Sequence, residues 1–558
     1  MKALYLDELC GNPERPQQKG SQTVMGSKVF EWNLLYALLE HGTYDVYFAP
    51  GVTEQVKNDL ALDGLTEDSI GRLTPVPLGG PLPATDTDQL VFLTAGRHLD
   101  LLATLRGRMR RYDAPVSGFI HSINSPRIAL ALLQQCFVGL TKADILFCSS
   151  RAGMKTINGY LDEIASFLPG IEYSARRIVV PLGVRVPSVQ PEARSLLQQK
   201  SKAEIKKEDC VALYLGRLSQ TSKCDLGPLL VAFSQLRARG TKLRLVIAGD
   251  DTQTKEATRL SALAGELCCL ESTTIWPDPS SDEKHLLYSA ADIFVSPSDN
   301  TQETFGLTVA EAMAYGLPAV VSDWDGYRDL VKDGENGFLI PSVFSSNIET
   351  LRLCDSSISM LQEDLLAQST VIDVGVLSRR LEKLASDPSL RVSMGLAARR
   401  YVESNCTWRA VVRQYEDLWE ESWKLARAAV ANGETSPNLL SLSLEKCFGH
   451  YATAKVDKKS RCFITTEGRE WLGRSCRLYF LCQLSAVPNP RQFYKVLRRI
   501  SDTPGLSVME LVERLGAYHP SRMEETEWVV ARLFKYGLIS NQPKELAASV
   551  TNGSVLRE

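Results

Sequence analysis

Two glutamates stand eight residues apart in the run Glu303-Thr-Phe305-Gly306-Leu307-Thr308-Val-Ala-Glu311. The second falls on a predicted helix over about 305–315. At about 1.5 Å rise per residue, eight helical residues span roughly 12 Å. That span suits a nucleotide sugar laid along the helix start, with its ribose at Glu311 and its sugar ring at Glu303. The diphosphate would lie over the free amides of the first turn, where the helix dipole favours anions. Gly306 lets the backbone approach such a ligand closely. Two solvated helix glutamates produce the same spacing. The context narrows it: Phe-Gly lies between the two, and Ala-Met-Ala-Tyr-Gly-Leu-Pro follows, directly before a strand.

The elements that must position these residues can be read from apolar runs. Lys2–Leu6 reads as a strand, a polar loop follows over 11–26, and 29–39 has apolar residues at helical spacing. Short apolar runs at 90–93, 117–120 and 144–148 have the length of buried parallel strands. The pattern restarts after Pro181-Leu182-Gly183-Val184 with strands at 211–215, 243–248, 293–296 and 319–322 and a helix at 227–238. Strand and helix alternating twice, with a break between, predict two doubly wound α/β domains facing one cleft. Over 345–372 the pattern weakens to a long loop or insertion. Helices resume at 376–385 and run to about 426, and 429–437 reads as a linker.

On these residues the chain resembles the family 4 retaining glycosyltransferases of the GT-B fold, whose donor-site signature residues 303–321 match. Further landmarks fall in order: Tyr214-Leu-Gly-Arg217, then Lys223, Val246-Ile-Ala-Gly249, the run Ala291–Ser298, and Asp333-Gly-Glu-Asn-Gly337. The resemblance implies that Arg217 and Lys223 neutralise a diphosphate as it becomes the leaving group. It places Glu303 at the sugar and Phe305, Gly306, Leu307, Thr308 and Glu311 around the donor. It also implies retention of anomeric configuration by front-face substitution. One departure bears on the lysine: the family has glycine after it, and this chain has Cys224, in a loop one residue longer than the common form. No cofactor is expected, because the nucleotide sugar is a substrate. No metal is expected either. Asp323-Trp-Asp325 and Asp86-Thr-Asp88 fit a D-x-D pattern, but Arg217, Lys223 and a helix terminus already serve the phosphates.

In the N-terminal half, Phe119-Ile120-His121-Ser122 matches the histidine that family members place at the cleft beside the donor sugar. A structural hydrogen bond at a strand end is the alternative for His121. Ser149 and the segment 181–184 resemble two further family elements, with Leu182 and Arg185 where asparagine and aspartate are usual. Gly20 and Gly26 stand in the loop that would bind acceptor or donor phosphate through backbone amides, without the usual Gly-Gly pair.

The 558 residues call for roughly three domains of about 150 residues each. The predicted division is an N-terminal domain over 1–185, a donor domain with crossing helices over 186–428, a third domain over 438–541 and a tail over 542–558. The net charge of −3 gives no global basis for nucleic-acid binding. Thirteen cysteines, odd in number and without a C-x-x-C pair, read as reduced cytosolic thiols. No signal peptide or membrane-spanning run is found, so a cytoplasmic protein is expected.

The third domain has apolar periodicity at 493–500, 508–515 and 523–536, with a strand at 461–465 and a capping box at Ser507–Glu510. These elements resemble a winged helix. Arg491, Lys495, Arg498 and Arg499 make a basic face, whereas Glu524, Glu525 and Glu527 make the would-be recognition helix acidic. Protein or peptide contact, packing or dimerisation, and DNA binding are the three readings, with DNA least expected. The leading function is therefore a sugar transferase, acting on a peptide, protein or saccharide acceptor, whose third domain recruits the acceptor or a partner. The rival is a catalytically silent sensor of sugar nucleotides that signals through the third domain. A homo-oligomer is left open.

Overall fold

Short runs of buried apolar residues build two parallel sheets in the computed structural model. It describes residues 1–7, 26–76, 82, 88–121, 123, 127–190, 192–201, 205–206, 208–220, 222–252, 254–301, 303–344, 366–434, 444–452, 456–473, 490–515 and 520–542. Gly20 and Asp86 lie outside the described residues, and Gly26 opens the helix Gly26–His41.

The first sheet contains β1 (Lys2–Leu6), β2 (Val46–Ala49), β3 (Leu73–Pro75), β4 (Gln89–Leu93), β5 (Val116–Ile120), β6 (Ile145–Cys148) and β7 (Arg176–Val179). Its order is β3-β2-β1-β4-β5-β6-β7, with every pairing parallel. The second contains β8 (Cys210–Leu215), β9 (Leu243–Gly249), β10 (Thr273–Pro277), β11 (Ile293–Ser296), β12 (Ala319–Ser322) and β13 (Gly337–Ile340), in the order β10-β9-β8-β11-β12-β13. It too is wholly parallel. All six residues of β8 and all four of β11 and β12 are buried, as strands covered by helices on both faces must be. This is the expected pair of Rossmann-like domains.

In open α/β sheets, ligands bind beyond the carboxyl ends of the strands where the strand order reverses. In the first sheet that point lies between β1 and β4, and in the second between β8 and β11. The carboxyl end of β8 leads into Arg217 and Lys223, and that of β11 into Glu303. The topology thus brings together residues 80 positions apart in sequence.

The helix Trp408–Ala431 crosses back to the first sheet. Thr407 caps it by accepting from the Ala410 amide at 3.3 Å. Its Glu416 carboxylate accepts from the amide and hydroxyl of Thr43 at 2.6 and 2.9 Å, and Trp419 meets Tyr44 edge-on at 5.9 Å. In the segment 181–184, Gly183 lies against the Trp408 ring, where an added Cβ would come within 2.2 Å. That close approach requires glycine whatever stands at Leu182.

Contacts divide the chain into one unit of 1–76 with 81–441, which holds both sheets, and a second of 77–80 with 442–558. The second unit has an antiparallel sheet with Arg461–Ile464 between Leu506–Ser507 and Ile539–Ser540. Helices Pro490–Asp502, Val508–Arg514 and Pro520–Lys535 pack a core that includes Phe493, Leu497, Leu511, Val529 and Leu533. Ser507 and Glu510 form the expected capping box. Tyr536 does not turn inward with Val529 and Leu533. The helix stops at Lys535 and leaves Tyr536 40% exposed, ahead of Gly537 in the left-handed region.

Candidate active site

The donor helix begins at Leu307, not near 305. Gly306 is its N-cap with φ +93°, a conformation that ends any helical run before it. Glu303 consequently sits on the loop ahead of the helix, and the roughly 12 Å reckoned along a continuous helix does not apply. Gly306 also presses against Tyr327, whose ring an added Cβ would meet at 2.5 Å. Tyr327 is buried and shares a 2.7 Å hydrogen bond with Ser296 at the end of β11. Among the described residues no side chain caps the helix start, which leaves the amides of its first turn for a ligand. Beside them the Thr308 hydroxyl is buried with no hydrogen-bond partner among the described residues. On the same helix Glu311 accepts from the Tyr288 hydroxyl at 2.8 Å, which fixes its carboxylate. Phe305 is buried beneath the loop.

Lys223 forms an ion pair with Glu303, whose side chain is 7% exposed. The longer loop brings Lys223 to Glu303 with Cys224 behind it. Cys224 turns into the core, where its thiol donates to the Pro297 carbonyl at 3.2 Å and burial holds it well above the usual thiol range. Arg217 is held by its own loop, donating from Nη1 to the Ser222 hydroxyl at 3.0 Å, and Ser222 in turn donates to Ser219 at 2.9 Å. Two cations and one carboxylate therefore stand at the switch point of the second sheet.

His121 follows β5 on the opposite side. Its Nε2–H donates to the Ala95 carbonyl at 2.9 Å, and Phe30 lies 4.6 Å from it, ring to ring. Burial pushes the imidazole down to about 4, against the smaller opposing effect of that hydrogen bond. The ring is neutral at pH 7, and with the proton on Nε2 its Nδ1 is an acceptor. The structural hydrogen bond and a role toward a ligand are thus compatible, one on each ring nitrogen.

Three sets of contacts are not legible in the sequence, although Ser149 and Asp325 themselves are singled out there. Ser149, at the end of β6, donates to the Thr304 carbonyl at 3.2 Å, and the Thr304 hydroxyl donates to the His121 carbonyl at 3.0 Å. Arg151 reaches Asp329 from its amide at 2.6 Å and from Nε at 2.8 Å. The third set is at Asp325, whose neighbour Asp323 is paired with Arg328 at 2.6 Å. Asp325 itself has φ +44° and lies beside Glu303. The next amide, Gly326, donates to the Glu303 carbonyl at 3.2 Å. No group of three His, Cys, Asp or Glu side chains suited to a metal occurs among the described residues.

Burial raises the Asp325 carboxyl to about 8, with the charge of Glu303 adding to the rise and Arg328 opposing it. It is protonated at neutral pH. Its contribution to stability is complete below the ordinary carboxylate range and is lost as pH rises through about 8. Above that pH a second negative charge faces any anionic ligand at Glu303. The donor KM should therefore climb several-fold across pH 8, and Asp325→Asn should flatten that rise. A rise of the same size in the asparagine variant would assign it to another group.

Residues 197–351 match the family model described as glycosyl transferases group 1. That segment includes Arg217, Lys223, Glu303 and Glu311 and excludes His121. The chain is similar to a D-inositol 3-phosphate glycosyltransferase of Acidothermus cellulolyticus, with 31% identity over 29% of this chain and 36% of the relative. It is also similar to a phosphatidyl-myo-inositol mannosyltransferase of Mycobacterium tuberculosis, with 30% identity over 30% of this chain and 43% of the relative. The chain thus spans well under half the length of these curated relatives. Among solved structures, sucrose-phosphate synthase from Thermosynechococcus elongatus aligns with a TM-score of 0.49 and 16% identity over 76% of this chain and 100% of that one. No described helix is long and apolar enough to cross a membrane.

Proposed function

We propose that the protein is a cytoplasmic retaining hexosyltransferase that moves a sugar from a nucleotide-sugar donor to an acceptor hydroxyl without a metal. The observation that carries this reading is the Lys223–Glu303 pair at the uncapped start of the helix Leu307–Ala314. An incoming diphosphate has the chemistry to draw Lys223 from Glu303 and to take hydrogen bonds from the free amides. Arg217 offers a planar fork to phosphate oxygens, and Lys223 a point charge. Both stabilise negative charge that grows as the bond from the sugar carbon to the phosphate oxygen breaks. Glu303, released from the lysine, holds sugar hydroxyls. The neutral His121 offers Nδ1 to another hydroxyl. The acceptor oxygen bonds to the carbon on the face that the phosphate leaves, and its proton passes to the departing phosphate oxygen. This route needs no covalent enzyme intermediate.

The family match covers the donor residues, so the donor side is the better supported half. Both relatives carry an inositol compound in their names, but their alignments with this chain are partial. For the acceptor we keep a hydroxyl on a peptide, protein or saccharide, with the second unit recruiting it or a partner.

Thermal stabilisation by a panel of nucleotide sugars identifies the donor, because a ligand selective for the native state raises apparent stability. Hydrolysis of the stabilising donor then tests for an enzyme; binding without turnover of any kind would favour the silent sensor. Activity with excess chelator and with added magnesium or manganese should be equal. A strict manganese requirement would reopen Asp323 and Asp325 as ligands.

A further inference from the structure

The residue after Glu303 is held by the opposite domain. Thr304 is buried at 8% exposure, and the first-sheet domain grips it twice, through Ser149 at the end of β6 and through the main chain of His121 at the end of β5. On its own side, the preceding carbonyl of Glu303 takes the Gly326 amide at 3.2 Å. Packing there is tight: a Cβ on Gly326 would lie 2.3 Å from the Thr304 carbonyl oxygen. The segment Glu303–Thr304 is therefore fixed from two directions, by one hydrogen bond to the Glu303 carbonyl within its domain and by two from across the cleft, at the carbonyl and the hydroxyl of Thr304.

We infer that Thr304 and Ser149 are positioning residues that set Glu303 against His121, so that these two groups reach working geometry only when the domains are closed. The inference rests on the transferase reading of Glu303 and His121. The Thr304 hydroxyl joins the segment bearing one to the main chain of the other, with a single hydrogen bond between them. Opening the cleft must break it together with the bond from Ser149. The Arg151–Asp329 pair also spans the domains, but its arginine side chain is 72% exposed and solvent screens it. The two hydrogen bonds, one buried and one partly buried, are directional, so they fix distance and orientation where the ion pair supplies only attraction. Neither residue needs to touch the substrate. Their effect falls on the chemical step, because binding of the nucleotide end depends on Glu311, Arg217 and the helix start, all within the second-sheet domain.

Thr304→Val keeps the branched shape and removes only the hydroxyl, whereas Thr304→Ser keeps the hydroxyl. Valine should lower kcat by about tenfold to a hundredfold, the scale on which small misplacements act. Donor affinity, read by thermal shift, should stay near the wild-type value. Serine should restore most of kcat, and Ser149→Ala should fall in the same direction as valine. Peptide-level hydrogen exchange over 303–306 should speed up in the valine and alanine variants and not in serine. Wild-type kcat in the valine variant, equal losses in valine and serine, or a loss confined to donor affinity would each overturn the inference. The exchange measurement keeps it testable apart from the transferase reading. If the wild type turns over no nucleotide sugar, that reading fails, and unchanged exchange in Thr304→Val would separately remove the cross-cleft link.

Discussion

Arg217→Ala and Glu303→Ala should each lower sugar transfer by about 10²–10³-fold at saturating donor, with the fold intact. That corresponds to about 2.7–4 kcal/mol of lost transition-state stabilisation. Among the described residues the Arg217 side chain is tied to Ser222 in its own loop, a neutral partner, so its removal leaves no charge there unpaired. Glu303 is the harder case, because its loss strands Lys223. Lys223 is 20% exposed, so water can reach its ammonium, and a bound diphosphate replaces the missing carboxylate. Donor binding in Glu303→Ala should then be kept or even strengthened while kcat collapses. Glu303→Gln offers a control that keeps the shape and the hydrogen-bonding oxygen. Glu311→Ala should behave differently, raising KM more than it lowers kcat, since a ribose contact is alike in ground and transition states. Wild-type turnover in Arg217→Ala or Glu303→Ala would remove that residue from the chemistry.

The contrast between those residues and Thr304 shows what a linear sequence discloses. Glu303 was legible through its spacing from Glu311, and Arg217 and Lys223 through the resemblance of the landmarks around them. The parallel strands were legible because runs such as 211–215 are apolar throughout, as burial on both faces demands. Marginal strands were not. Arg176–Val179 begins with two arginines and is only half-buried, and Leu73–Pro75 has three residues, so neither shows a period. The helix start was misplaced by two residues because the left-handed φ of Gly306 is a backbone property, not a periodic one.

Asp325 and Thr304 were hidden for a different reason. Each acts through a neighbour brought close by the chain's return from another strand, Gly326 to Glu303 in one case and His121 to Thr304 in the other. Threonine in a loop and aspartate in a D-x-D are common, and only the fold distinguishes them. His121 stood between the two situations. Its place after β5 suggested two roles, and the structure assigns the structural bond to Nε2 while leaving Nδ1 as an acceptor.

Ending the chain after Glu434 should leave donor hydrolysis largely intact and cut transfer to the natural acceptor at low acceptor concentration by about 10²–10⁴-fold, the range that tethering a substrate supplies. The residues proposed for chemistry all precede residue 330, within the unit that holds both sheets. The helix Trp408–Ala431 must be kept, since Trp408, Tyr415 and Trp419 are buried in the core shared with the first sheet. Among the described residues, the buried cluster of the second unit draws on residues between Cys462 and Ile539. Its helices carry their own stop and start signals, from the Ser507 capping box to Gly537. A region with a separate core can be removed without opening the other. Chemistry on a small donor gains nothing from such an appendage, whereas a large acceptor held near the cleft gains effective concentration. The measurement pairs hydrolysis with transfer in a truncated protein whose folding is checked by thermal unfolding. Loss of hydrolysis in a folded fragment would make the second unit part of the catalytic architecture. Unchanged transfer would assign it to assembly or regulation, and the recruitment reading would fall.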